Sequence, residues 1–369
     1  MNIQTQVIRR APFGAIWAPL CAFALAACGN SPSSPGDKGT GGAAGSSVAA
    51  GGAGGANGTG GVAVGAGGRA GGPGAGAGGQ TGGGTGGRSA GSGGTSDAGT
   101  GTACTVGAWP TADPSLPGPF TTVTENNVGP AAGVGADGGA PVAFTLFRPA
   151  NLAQGGLCHP VVTWGNGTGA NPSLYRILLT QLASHGFVVI ASNSPNVAQG
   201  SPQPMLAGVT WVISQNADPA SVMYQRIDTT HVGATGHSQG GFATMTAGAD
   251  ARVGTIAPIA GATASRNLHG PALLLCGGMD TTVPCSNVMN AFTGITNQPV
   301  MLADQLAVNH GSWITFRGTT LNPAEVAVTA WMRVHLMGDT VLRPRFYGPT
   351  CTLCQDTAIW QIMQKMMDQ

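Results

Sequence analysis

The chain has 369 residues and a formal net charge of +1, so it carries neither the basic stripe of a nucleic-acid binder nor an acidic tail. Charged residues make up only 8% and aromatic residues 5%, against 63 glycines, a composition unlike that of a uniform globular body. The imbalance is local, and the chain divides into segments 1–27, 28–103 and 104–369.

Arg9 and Arg10 precede an apolar run over 15–27 that ends in Leu25-Ala26-Ala27-Cys28, the layout of a secretory signal. The run is too short for a comfortable membrane span of about 20 residues. A cysteine at the cleavage position resembles the lipobox of bacterial lipoproteins, in which the peptide is cut before the cysteine and that residue is lipidated. The expectation is therefore a signal peptide over 1–27 and lipidation at Cys28. That puts the protein at the cell envelope or surface, touching a membrane through its N-terminus only; a cleaved signal with an incidental cysteine, and free secretion, is the alternative. Segment 28–103 is almost wholly Gly, Ala, Ser and Thr. It has too little apolar side chain to offset its ordering entropy and no strict Gly-x-y period, so it reads as a disordered tether.

The last segment is long enough for one large domain with a full core. In chain order it shows a strand over 142–147, an apolar strand over 160–164 running into a glycine-rich loop, and helical spacing over 172–185. A buried strand over 187–191 and a helix over 205–216 follow. Further strands are expected over 254–259, 272–276 and 300–306, with helices over 286–292 and 324–337. The apolar tail at 358–367 reads as a docked final helix or a partner surface. Short apolar strands alternating with helices predict an α/β fold with a mostly parallel central sheet and helices on both faces. Connections 192–204 and 262–270 are too short to hold a cap domain.

Between the helix over 205–216 and the strand over 254–259 stands Val232-Gly-Ala-Thr-Gly-His-Ser-Gln-Gly-Gly-Phe242. A chance Gly-x-Ser-x-Gly carries little weight in so glycine-rich a chain. Here an apolar strand precedes Gly236-x-Ser238-x-Gly240 and a helical stretch follows, the setting a nucleophile elbow requires. Glycines two residues either side of Ser238 relieve the crowding of a sharp strand-to-helix turn. In an α/β-hydrolase the partners follow as serine, acid, histidine. Asp280 is the expected acid because it sits just past a strand end. His310 is the expected base: of the two histidines after Asp280, His335 falls inside a helix, whereas His310 lies in a loop after the last expected strand. A backbone N–H of Gln239 is the expected oxyanion donor, with Asn166 of the 165–169 loop as the second. Trp164, Gly167 and Trp313 are candidate substrate contacts. No His/Asp/Glu cluster has ligand spacing, so neither a metal nor a cofactor is expected.

Ala183-Ser-His-Gly-Phe-Val-Val-Ile190, Arg226-Ile-Asp228 leading to Gly236-His-Ser-Gln-Gly-Gly241, and Asp280-Thr-x-x-Pro284 together resemble the bacterial cutinase and polyester hydrolase family of α/β-hydrolases. Dienelactone-hydrolase-like esterases are close to it. The resemblance covers roughly 141–351 and implies a lidless serine esterase with Ser238, Asp280 and His310 as nucleophile, acid and base. The expected substrate is a small or polymeric ester and the expected state a monomer. Two departures stand out. Asn166 falls where those enzymes carry an aromatic oxyanion-loop residue, and Pro258-Ile-Ala-Gly-Ala262 lacks their tryptophan, so an aromatic clamp is missing.

An amidase, peptidase or polysaccharide esterase on the same triad, and a non-catalytic surface binding module, are the competing readings. Six of the eight cysteines lie beyond residue 103, an even number that suggests disulfides in an exported chain. Six cysteines allow 15 pairings; sequence proximity favours Cys276 with Cys285, around Asp280.

Overall fold

The computed structural model describes residues 103–130, 143–194, 201–263, 267–314 and 321–368. The expected signal peptide, the lipidation site Cys28 and the tether up to residue 102 lie outside the described residues, as do 195–200 and 264–266 of the two short connections.

The elements run β1 (Thr122–Pro130), β2 (Ala143–Pro149), β3 (His159–Gly165), α1 (Arg176–Ser184), β4 (Val188–Ser192), α2 (Gln203–Ala217), β5 (Ile227–His237) and α3 (Gln239–Ala247). They continue with β6 (Val253–Ile259), β7 (Ala272–Gly277), α4 (Cys285–Gly294), β8 (Val300–Gln305), α5 (Pro323–Met337), α6 (Thr352–Gln355) and β9 (Trp360–Lys365). All nine strands form one sheet in the order β1-β2-β4-β3-β5-β6-β7-β8-β9. From β4 to β8 neighbouring strands are parallel, and β1, β2 and β9 are added antiparallel at the margins. This is the α/β-hydrolase fold.

Why the central strands are apolar without alternation follows from what covers them. Successive side chains point to opposite faces, and both faces carry helices. Leu273 and Leu275 of β7 join one core with Leu178 and Leu182 of α1 and Trp331 of α5. Leu274, between them, joins the other with Val209 of α2, Met245 of α3 and Val288 of α4. Among the described residues no helix or strand is inserted between β4 and α2 or between β6 and β7.

The structure corrects the tail. Residues 358–367 are not a docked helix, because Trp360–Lys365 forms β9 along β8. Ile362 packs toward one core and its neighbour Met363 toward the other, the two-sided alternation of a strand. The expected helix over 172–185 opens as a separate 3₁₀ turn, Pro172–Tyr175, before α1. Disulfides join Cys104 to Cys158, Cys276 to Cys285 and Cys351 to Cys354.

Candidate active site

β5 ends at His237 and α3 begins at Gln239, leaving Ser238 alone in the turn with φ 56° and ψ −118°. A non-glycine residue in that region costs of order 1–3 kcal/mol and persists only where its surroundings impose it. Here they do: Ser238 N–H donates to the Ile259 carbonyl at 3.0 Å and its own carbonyl accepts from Phe242 N–H at 3.1 Å. A Cβ on Gly240 would stand 2.0 Å from the Gly165 carbonyl oxygen, and one on Gly236 would stand 2.5 Å from that of Gly240. The flanking glycines are therefore demanded by backbone contact, and the turn presents the partly exposed serine hydroxyl beyond the strand ends.

Asp280 lies three residues past the end of β7, in a turn closed by its own carboxylate. Oδ1 accepts from the N–H groups of Thr282 and Val283, both at 2.8 Å. That leaves Oδ2 for His310 Nδ1, 2.7 Å away. His310 opens the 3₁₀ turn His310–Trp313, which Asn309 caps by accepting from Gly311 N–H while Ser312 Oγ accepts from Asn309 N–H. The two loops are stitched together by Met279 N–H donating to the Val308 carbonyl at 2.9 Å. His310 Nε2 then lies 2.9 Å from Ser238 Oγ. The Asp280 side chain is fully buried and that of His310 is 20% exposed, so one ring bridges a dry carboxylate and an accessible hydroxyl.

Gln239 is the first residue of α3, and its N–H is among the first-turn amides that have no intrahelical acceptor. The Asn166 side chain does not serve as the other expected oxyanion group. Asn166 is fully buried, its Oδ1 accepting from Trp164 Nε1 at 2.9 Å and its Nδ2 donating to the Ser192 carbonyl at 2.6 Å. Its side chain braces β3 against the end of β4 and offers no donor to a ligand. Trp164 and Trp313, expected to contact substrate, are 1% and 3% exposed and belong to the core. Both rings pack into the core shared with α1 and α5. Gly167 is buried as well, and its N–H donates to Tyr175 Oη at 3.2 Å. Thr168, next in the loop, is exposed.

Two residues escaped the sequence reading. His237 reads from sequence as packing at the elbow, yet both its ring nitrogens have polar neighbours: Tyr175 Oη at 3.0 Å and the His310 carbonyl at 3.1 Å. Burial, and then the nearby His310, push its pKa down to about 3. Tyr175 is 1% exposed, and burial pushes its pKa up to about 12. An adjacent histidine and serine gave the only hint in the sequence, and nothing marked Tyr175.

Cys276, Cys285 and Asp304 also lie close together, but the two sulfurs are bonded to each other and cannot ligate a metal. A family profile described as PET hydrolase-like matches residues 100–361. No curated protein matches the chain.

Proposed function

From the premise that the chain belongs to the PET hydrolase-like family, and is an ester hydrolase on the α/β-hydrolase fold, we propose that it works by a serine mechanism, with Ser238 as nucleophile, His310 as general base and Asp280 as the acid that orients the base. The observation carrying this reading is the unbroken run from Ser238 Oγ through His310 to Asp280 at 2.9 and 2.7 Å. Serine at its ordinary pKa is a poor nucleophile and needs an imidazole to take its proton. Asp280 accepts from Nδ1–H, which leaves Nε2 bare toward the hydroxyl.

Ser238 Oγ attacks the ester carbonyl carbon as its proton passes to His310 Nε2. The carbonyl oxygen becomes an oxyanion beside the α3 N-terminus, where the Gln239 N–H and the helix dipole oppose its charge. The second donor is assigned to the backbone N–H of Asn166 or of Thr168. The Asn166 side chain is committed elsewhere and the Gly167 N–H goes to Tyr175. The alcohol leaves with the proton from His310, and water repeats the sequence on the acyl-enzyme.

The substrate class follows from what the cleft lacks. Residue 166 carries an inward amide and residue 262 a buried methyl, neither of which can stack on an aromatic ring. Such stacking is worth about 0.5–1.5 kcal/mol per pair. Aliphatic acyl esters and polyesters are the proposed substrates. The signal-like N-terminus ending at Cys28 supports export and a lipid anchor, for which palmitate incorporation lost in Cys28→Ser is the test. Turnover of p-nitrophenyl butyrate by the parent, absent in Ser238→Ala, with no hydrolysis of the matched anilide, is the result expected for an esterase. Hydrolysis of the anilide at a comparable rate would favour an amidase instead.

A further inference from the structure

We propose that Tyr175 and His237 are positioning residues, forming a buried one-way hydrogen-bond relay from the Gly167 N–H to the His310 carbonyl that holds the oxyanion loop and the general base in mutual register. The proposal rests on the roles given above to His310 and to the loop at 166–168.

The direction of every bond is determined by chemistry at one end. The His310 carbonyl can only accept, so the His237 Nε2 that lies 3.1 Å from it must carry a proton. A ring whose pKa is depressed to about 3 is neutral and holds no second proton, so Nδ1 is a bare acceptor. Tyr175 Oη, 3.0 Å away, must then donate to it, and its oxygen is free to accept the Gly167 N–H at 3.2 Å. Each group is used once and in one sense. The opposite tautomer would set a bare Nε2 against the carbonyl oxygen, two acceptors face to face, a mismatch that burial makes costly, since His237 is 2% exposed.

Packing reinforces the same path. Ring centroids step from Trp164 to Tyr175 at 4.8 Å, to His237 at 5.7 Å and to His310 at 4.7 Å, so the base itself rests against the relay histidine. On the loop side, a Cβ at Gly167 would come within 3.1 Å of His237 Nδ1 and 3.3 Å of Ser238 Cβ. The loop is thus pressed on the relay and on the nucleophile together. None of the relay side chains reaches solvent, so the relay acts on the placement of His310 and the loop and leaves substrate contact to others.

Tyr175→Phe keeps the ring and its packing and removes the one hydroxyl that joins the two halves. The expected result for the full chain on p-nitrophenyl butyrate is a kcat lower by about tenfold with KM within about twofold, because misplaced groups weaken the transition state and not uniform binding. In the parent, ¹⁵N-histidine NMR is expected to find His237 neutral with its proton on Nε2 from pH 5 to 8. In Tyr175→Phe it should find that preference weakened. A Tyr175→Phe kcat within twofold of the parent, a change confined to KM, or a parent His237 protonated on Nδ1 would each overturn the proposal, and the last needs no variant to fold. Failure of the underlying serine-esterase reading shows separately, as a parent chain whose Ser238 does not react with a fluorophosphonate.

Discussion

Replacing Asp280 by asparagine tests the site through a single atom. Asp280 Oδ1 accepts two backbone N–H groups at 2.8 Å, so an asparagine must place its carbonyl oxygen there, since an amide NH₂ would face two donors. Its Nδ2 is then forced onto the Oδ2 position, 2.7 Å from His310 Nδ1. A donor at that point drives the imidazole proton from Nδ1 to Nε2, where it faces Ser238 Oγ and blocks the base. Loss of the correct tautomer is worth about 10⁴-fold in kcat, or about 5 kcal/mol of barrier. The assay is kcat on p-nitrophenyl butyrate for both proteins, with thermal melts to establish that the variant is folded. A folded Asp280→Asn enzyme within tenfold of the parent would refute the argument that Asp280 sets the His310 tautomer.

Removing the Cys276–Cys285 disulfide by a double serine substitution should cost about 2–3 kcal/mol, given the 9-residue separation, and should lower activity with it because the closed loop carries Asp280. Unchanged turnover after confirmed loss of the bond would contradict that coupling. Burial depresses His185 to about 4 and both His237 and His335 to about 3, from 6.5. Below about pH 6.5 the unfolded chain binds protons that the folded chain refuses, so stability should fall with pH by up to about 1.4 kcal/mol per unit per histidine until the folded values are reached. Urea midpoints at pH 7, 6, 5 and 4 read this directly, and a flat series would refute it. Arg333, 1% exposed, pairs with Asp339 at 2.8 Å and donates to the Pro110 carbonyl at 2.7 Å. Arg333→Ala strands a buried carboxylate and should cost about 3–5 kcal/mol in denaturant unfolding, whereas a change below about 1 kcal/mol would show the pair to be dispensable.

The parts legible in the sequence were those imposed by local sterics and by chain order. Gly236-x-Ser238-x-Gly240 marks its own turn because the contacts that exclude a Cβ lie within the elbow and the adjacent β3 end. The central strands show themselves because burial on both faces favours apolar runs such as Val161-Val162, Val188-Val-Ile-Ala191 and Ala272-Leu-Leu-Leu275. Side-chain direction in loops was not legible. Asn166 turns inward because the Ser192 carbonyl, 26 residues on, and Trp164 Nε1 take both ends of its amide. β9 was hidden because its residues serve two cores alternately while its apolar content also suits a helix. β1, with Glu125, Asn126 and Asn127 in a sheet margin open to solvent, has no apolar alternation to betray it. The Tyr175–His237 contact joins residues 62 apart, and neither has a local signal for the other.

The most direct test of the central claim is to expose the full chain to a fluorophosphonate and locate the adduct by peptide mapping while following ester hydrolysis. The account predicts a single adduct on Ser238, loss of activity in step with labelling, and no labelling in Ser238→Ala. Hydrolysis that persists in a chain fully labelled at Ser238, or an inactivating adduct on another residue, would contradict it.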